Sequence, residues 1–474
     1  MKIQKKTKIV ATLGPAVDSI EIMEQMMLSG VNVFRINFSH ANYEDVTQKI
    51  KDIRYLNNKN NWHVAVLADL QGPKLRVGVM GEKVKLKKGD NFTFTTEKCE
   101  GNSEKAYMTY KKFPKDVKAG EQILVDDGKL LFEVIETDQK SIVKTKVIRG
   151  GRLKSKKGVN LPNTKISLPA LTKKDVKDAI FAIENQVDWI ALSFVRTPKD
   201  LIMLSDLIKE KSPYKIPIIA KIEKPEAVEN INQITSHCDG IMVARGDLGV
   251  EVPMQRGPII QKMLVRKAKE ARIPVIIATQ MMESMITSQV PTRAEVNDVA
   301  NSIMDGADAV MLSGETSVGE FPIRVINAMR LIIESVEDSN LIHSPVNTVE
   351  CMNERFITKA ICRQAAYLAD SIEATAITTL THSGYTAFQI SSWRPKSNIL
   401  VFSDNPRILA MLNLLWGVKA QFYNKLVTTE NTVQDINKIT LEKEYAEKGD
   451  FVINLTSMPV KAKGMVNTLR ISQL

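Results

Sequence analysis

Lys221 and Glu223 alternate where the apolar run over 217–222 gives out, so an extended strand presents both on one face. Arg35, Asn37 and Ser39 alternate in the same way, just ahead of His40. Asp69 ends a third apolar run and is followed by Leu70, then by Lys74 and Arg76. A fourth run passes into Arg245-Gly246-Asp247, a fifth ends at Thr279-Gln280, and a sixth at Ser313-Gly314-Glu315-Thr316. Polar residues mark any strand exit, but an exit needs turn formers rather than inward-facing Lys, Arg and Glu. Glu223 and Asp247 are hard oxygen ligands of the kind that bind Mg2+ or Mn2+ while leaving room for water and substrate oxygens. Arg35, Lys221 and Arg76 are cations suited to phosphate and carboxylate. A divalent metal flanked by these cations describes a phosphoryl-transfer or enolate-stabilising site. The sequence carries neither a P-loop nor a GxGxxG pattern, and no Ser-His-Asp arrangement is visible.

Such a site needs elements that bring the run ends together. Short β-branched runs recur over 8–13, 31–38, 64–70, 189–194, 217–222, 240–244, 274–278 and 307–312. Their near-continuous apolar character fits buried parallel strands. Amphipathic stretches lie between most of them, such as 19–28 and 294–304, the second opened by a Thr292–Glu295 capping box. The expected fold class is α/β: a (β/α)8 barrel, with a doubly wound open sheet as the competing architecture. In such a barrel the C-terminal strand ends form the active site.

The spacing breaks once, between the runs ending at Leu70 and starting at Trp189. Short strands are expected there over 84–86, 91–95, 122–125, 130–135 and 141–148, with turns at Asp127-Gly128 and Gly150-Gly151. The expected division is a barrel domain over 1–71 and 164–342, an inserted β-rich lid (a small β-barrel domain) over 72–163, and a C-terminal α/β domain over 343–474. A helix over 322–335 and a polar linker over 338–349 lead into that last domain. It reads as a helix over 354–369 and strands over 374–380, 398–402 and 450–455.

Composition narrows the class. At 474 residues, 44% hydrophobic and 25% charged, the chain is ordinary globular protein of several domains. Cys99, Cys238, Cys351 and Cys362 show no CxxC spacing, which argues against a disulfide scaffold and a structural zinc site. A net charge of +11 favours anionic partners. No apolar run is long enough to span a membrane, so the expected location is a reducing cytoplasm. His63, His237 and His343 sit beside element ends and read as structural.

The motifs at the strand ends resemble those of the pyruvate kinase family over essentially the whole chain. They are TKIVATLGP at 7–15, FRINFSH at 34–40, DLQGPKLR at 69–76, AKIEKPE at 220–226, DGIMVARGDLGV at 239–250, ATQMMESM at 278–285 and DGADAVMLSGET at 305–316. The resemblance implies transfer of the phosphoryl group of phosphoenolpyruvate to ADP, giving pyruvate and ATP, and a homotetramer. It implies that Glu223 and Asp247 hold the divalent metal, and that Lys221 neutralises the transferring phosphoryl group. Gly246 and Asp247 amides, with Thr279, would take the substrate carboxylate, and Thr279 would assist enolate protonation. Arg35 and Arg76 would contact the phosphoryl group and nucleotide phosphates. Asn37, His40 and lid Lys157 would lie by the nucleotide, and Asp127 by its second metal ion.

Two departures from the family pattern bear on cofactors. Asn37, Ser39, Asp69 and Leu70 match the K+ site of K+-dependent members, but Lys74 replaces the usual glutamate. An ammonium group there would replace the ion, so activity without K+ is expected. Trp62 stands where some members carry a nucleotide-contacting arginine. Farther on, Thr381, Ser383, Gly384 and Thr386 match the family's effector loop, at which a phosphorylated allosteric effector is the expected partner. A barrel lyase acting on phosphoenolpyruvate or oxaloacetate is the alternative enzyme. An RNA-binding protein is the alternative of another class, but aromatics are only 6% and do not interleave with the basic runs, so no nucleic-acid partner is expected.

Overall fold

The computed structural model describes residues 5–339, 341–342, 355–425, 428–458 and 466–474. The expected linker beyond 342, with His343 and Cys351, lies outside the described residues. Eight parallel strands close a barrel in sequential order: Lys8–Thr12, Val33–Asn37, Ala65–Asp69, Trp189–Leu192, Ile218–Ile222, Gly240–Ala244, Val275–Ala278 and Ala309–Leu312. All eight were expected from the sequence, most of them a residue or two longer. The open-sheet alternative is thereby excluded. Apolar residues flanking a strand lengthen the sequence signal without joining the hydrogen-bonded ladder.

Most of these strands are buried along their full length, because helices cover their outer face and side chains fill the inside. Helix starts are fixed by the expected chemistry. Thr292 and Glu295 cap Arg293–Met304 reciprocally, as Thr172 and Asp175 cap Lys173–Glu184. Inside the barrel, Val10, Leu67, Trp189, Ile219, Met242 and Met311 pack into one apolar cluster with side chains of the C-terminal sheet. The indole of Trp189 donates to the Met411 carbonyl at 3.0 Å. The barrel base is therefore plugged, and only the opposite rim is left for chemistry.

The lid leaves the barrel at Gly72, whose φ is +69°. A side chain there would run into Phe194 and Ser193 of the neighbouring strand exit, so the hinge needs glycine. The buried Asp175 carboxylate accepts the Gly72 N–H at 2.9 Å while also capping its helix. Beyond the hinge stands a six-stranded mixed sheet in the order Val159–Asn160, Gln122–Val125, Leu130–Thr137, Ile142–Arg149, Asn91–Thr95 and Lys105–Tyr107. Gly150-Gly151, expected as a turn, instead feeds the strand Gly151–Arg152, which pairs with Lys85–Leu86. A side chain on Gly150 would strike the Leu86 carbonyl, so the glycine permits close strand approach rather than reversal. The strands Lys105–Tyr107 and Val159–Asn160 were not expected. Each is too short to show alternation.

In the C-terminal domain a helix, Phe356–Ser371, precedes a five-stranded sheet. Val418–Phe422, Asn398–Ser403, Ala376–Leu380 and Phe451–Thr456 run parallel, and Thr468–Gln473 adds an antiparallel edge. The first and last of these went unread in the sequence, both being edge strands with mixed polarity. Among the described residues no helix is long and apolar enough to cross a membrane.

The lid has its own core. Phe92, Phe94, Phe113 and Phe132 are fully buried, with ring centroids 5.1 to 6.0 Å apart. This cluster is separate from that of the barrel. Phe132→Ala is therefore expected to cost the lid about 3–5 kcal/mol. Hydrogen exchange should show lid amides losing protection while barrel-strand amides keep theirs. Equal loss in both would contradict an independent lid core.

Candidate functional site

The register of the barrel brings the predicted strand ends to one rim. Asn37 pairs with Asp69, and Asp69 with Ala191 on the following strand. Arg35 points inward two residues below Asn37. Its Nε donates to Asp69 Oδ2 at 2.7 Å and its Nη1 to Thr12 Oγ1 at 3.0 Å. Lys221 approaches from the fifth strand. Its Nζ lies 3.1 Å from Asp69 Oδ1 and 2.9 Å from Glu223 Oε1, and donates to Ser193 Oγ at 2.7 Å. Ser193 donates in turn to the Leu70 carbonyl at 2.7 Å. Arg35, Asp69, Lys221 and Glu223 are each no more than 9% exposed, so this is a buried network of alternating charge.

The electrostatics follow from that packing. Burial pushes the Asp69 carboxyl up, but Lys221 and Arg35 outweigh it and hold the group below its ordinary value. Burial pulls Lys221 down, but Asp69 and Glu223 outweigh it and hold the ammonium above its ordinary range. Glu223 differs. Burial raises its carboxyl, Lys221 opposes, and the nearby Asp247 adds to the rise. Two carboxylates that repel one another at a rim are suited to share a hard divalent cation. Glu223 Oε2 also accepts the Phe194 N–H at 2.8 Å, which fixes its plane. Among the described residues no three His, Cys, Asp or Glu side chains cluster as a complete cage, so a cation at Glu223 and Asp247 takes its other ligands from water or substrate.

Asp247 sits in the first turn of Arg245–Glu251. Lys74 Nζ lies 3.8 Å from Asp247 Oδ1, so its ammonium faces the carboxylate expected to hold the metal. Thr279, at φ +70°, accepts the Gly246 N–H at 2.8 Å and donates to the Ala278 carbonyl at 2.6 Å. Asn37 Oδ1 accepts the Ser39 N–H at 3.1 Å, and His40 is exposed just beyond.

Not every expected site residue converges. Arg76 turns into the lid, where its Nη1 donates to the Lys156 carbonyl at 3.0 Å. Lys157 pairs with Asp126 at 2.8 Å rather than standing free. Asp127, at φ +55°, lines a small cleft with Lys74, Lys224 and Asp247, between lid and barrel. Trp62 precedes the third strand, at the end away from Asp69, so the nucleotide comparison drawn from it does not apply. In the C-terminal loop the Thr381 hydroxyl accepts the Gly384 N–H at 2.9 Å, Thr381 and Thr386 are buried, and Ser383 is exposed. Sequence reasoning missed Thr12, Ser193 and Asp126. Ser193 ends the fourth strand, and the pattern of polar residues closing apolar runs contained it.

Comparison with known proteins adds a family to this geometry. A model described as pyruvate kinase, barrel domain, matches residues 4–326, and one described as pyruvate kinase, alpha/beta domain, matches 359–472. Pyruvate kinase 2 of Synechocystis sp. is 41% identical over 456 residues, covering 95% of this chain and 76% of that protein. A pyruvate kinase of Mycobacterium tuberculosis is 36% identical over 471 residues, covering 99% and 98%. A crystal structure of a pyruvate kinase from Cryptosporidium parvum superposes with a TM-score of 0.92 at 35% identity, covering 99% of this chain and 96% of that one. These relatives favour neither the lyase nor the RNA-binding reading.

A depressed carboxyl stabilises the fold above its unfolded value, about pH 4, and loses that contribution as the pH falls through the folded value. Asp69→Asn is expected to cost about 3–5 kcal/mol at neutral pH, because Arg35 and Lys221 lose a shared counter-charge and Lys221 keeps only Glu223. Denaturant titration should show the gap from the parent protein narrowing only below about pH 4. A gap that already closes at pH 6 would contradict the assignment.

Proposed function

The chain belongs to the pyruvate kinase family and transfers the phosphoryl group of phosphoenolpyruvate to ADP, and from that premise we propose how its own residues carry the step. The observation that carries the proposal is the ammonium of Lys221, pinned by Asp69, Glu223 and Ser193 on the barrel rim. Three anchors leave it little freedom, and its raised proton affinity keeps it charged. It faces the phosphoryl group as negative charge develops there, a stabilisation that needs no reorganisation. Arg35, braced by Asp69 and Thr12, presents its remaining donors to the same group.

The leaving group is an enolate, so charge also grows on the substrate's oxygen. A divalent ion at Glu223 and Asp247, Mg2+ or Mn2+, supplies Lewis-acid stabilisation of that charge when bound. The backbone N–H groups of Gly246 and Asp247 orient the substrate carboxylate at the start of their helix. Thr279 reaches the same place, where its hydroxyl, bonded to Gly246 and Ala278, passes a proton toward the enolate through water. Asn37 and His40 take the nucleotide side. Arg76 and Lys157 belong to the lid, and they serve the nucleotide once it displaces their contacts with Lys156 and Asp126.

K+ is not required in this reading. Both Asp69 oxygens are already matched by cations, Oδ2 by Arg35 and Oδ1 by Lys221, so the trio with Asn37 and Ser39 has little charge left for a monovalent ion. Lys74 adds a cation at Asp247. The loop of Thr381, Ser383, Gly384 and Thr386 takes a phosphorylated effector, with exposed Ser383 as its first contact. The assembly is a cytoplasmic homotetramer. Exposed apolar side chains such as Met254 and Ile259, 87% and 70% accessible, fit surfaces covered by further copies.

Pyruvate formation from phosphoenolpyruvate and ADP, run with Mg2+ in K+-free buffer and again with K+, tests the reading. Full activity in both is expected. Lys74→Glu sets a second carboxylate beside Asp247 in place of that cation and should lower activity in both buffers by about tenfold or more. No pyruvate from folded protein in either buffer would overturn the function. Activity only with K+ would overturn the K+-independent reading alone.

A further inference from the structure

The helix Arg245–Glu251 carries Gly246 and Asp247 at its start and ends on a residue that the mechanism above does not use. Glu251 is 5% exposed. Its Oε1 lies 2.6 Å from Nζ of Lys224, itself 6% exposed and next in sequence to Glu223. The same oxygen accepts a hydrogen bond at 2.8 Å from Nδ2 of Asn160, which belongs to the lid. Glu251 Oε2 is buried with no hydrogen-bond partner among the described residues. One carboxylate thus joins the strand exit that bears Glu223, the helix that bears Asp247, and the lid sheet.

Asn160 reaches it from the short edge strand Val159–Asn160, which pairs with Gln122–Val125. That second strand runs directly into the Asp126-Asp127-Gly128 turn. A side chain built on Gly128 would come within 3.8 Å of Val250, so the turn packs beside the same helix. These two neighbouring points add to the contact near the hinge, where Lys74 Nζ lies 3.8 Å from Asp247 Oδ1. Among the described residues, Asn160 to Glu251 is the one of these contacts within hydrogen-bond distance of a charged group, so it depends on direction as well as distance.

We propose that Glu251 and Asn160 form a latch that couples lid docking to the placement of Asp247 and Glu223, with Lys224 as its anchor. This rests on the assignment of those two carboxylates to metal and substrate. Both are positioning residues. Neither faces the transferring group, and they act by favouring the arrangement in which lid, helix and strand exit meet. Undocking the lid lowers the competent population and so raises the apparent KM for both substrates together, while kcat at saturation changes less. A residue that mattered only to folding would instead lower the melting temperature and leave both KM values alone.

The test uses the full chain with Mg2+. Asn160→Ala is expected to raise KM for phosphoenolpyruvate and for ADP by about tenfold, with kcat within about threefold. Its melting temperature should stay within about 2 °C of the parent, since the amide sits at a lid edge. Asn160→Asp sets a second carboxylate against Glu251 and should raise both KM values further. Adding Glu251→Gln to Asn160→Asp restores a donor–acceptor pair with the roles exchanged, and should recover most of the loss. The latch is overturned if Asn160→Ala stays within twofold of the parent, or if Asn160→Asp is no worse than Asn160→Ala. Those two variants change only the lid, so they decide the matter even if the pair does not fold. Failure of the underlying assignment looks different: the parent protein itself would form no pyruvate.

Discussion

The buried carboxylate of Asp69 is the constraint on which the site depends. Burial by itself pushes its carboxyl up and pulls the Lys221 amine down. Each favours the charged form of the other, with Arg35 at 2.7 Å from Asp69 and Glu223 at 2.9 Å from Lys221 completing the balance. A buried ion network of this kind is weak evidence for stability, because desolvation offsets much of the attraction. Its value here is geometric. The barrel register sets Asp69 between Asn37 and Ala191, and Asp69 sets Arg35 and Lys221. On the proposed reading the cations face the reacting group already oriented, which is what electrostatic catalysis requires.

The rest of the architecture protects that arrangement. The base of the barrel is filled by side chains continuous with the C-terminal sheet, through Trp189 and Met411. Chemistry is confined to the rim, where the lid arrives on a hinge that only glycine fits at Gly72. With its own aromatic core the lid is a packing unit apart from the barrel, and such a unit can be held by few contacts. Asp175 at the hinge and Glu251 at the far contact are both buried carboxylates shared between elements. A lid that excludes water from a transferring phosphoryl group must both close and reopen, so a small number of directional contacts suits it better than a wide apolar seam.

What could be read from sequence follows from the strength of each local signal. The eight barrel strands were legible because burial on both faces writes continuous apolar runs, and the rim residues because Lys, Arg and Glu contradict such runs. Lys221 and Glu223 were placed on one face by alternation alone. Ser193 was passed over because a serine at a strand exit looks like an ordinary turn former. Trp62 was misplaced because a motif comparison does not say which end of a strand a residue occupies. Lys157 and Arg76 were assigned to the nucleotide from the motifs, and their local partners in the lid, Asp126 and the Lys156 carbonyl, were not foreseen. Such partners are set by lid topology, including the two-residue strands at Gly151–Arg152 and Val159–Asn160, and strands that short leave no period to read.

The central claim is that Lys221 acts on the phosphoryl group, while Thr279 and the two carboxylates act on the enolate. Lys221→Met separates these duties. Two rates are measured on the same folded protein with Mg2+: pyruvate formation from phosphoenolpyruvate and ADP, and exchange of the methyl protons of pyruvate with deuterated solvent. The account predicts loss of phosphoryl transfer by about a thousandfold or more with exchange largely retained. Transfer within tenfold of the parent, or both rates falling together, would contradict it.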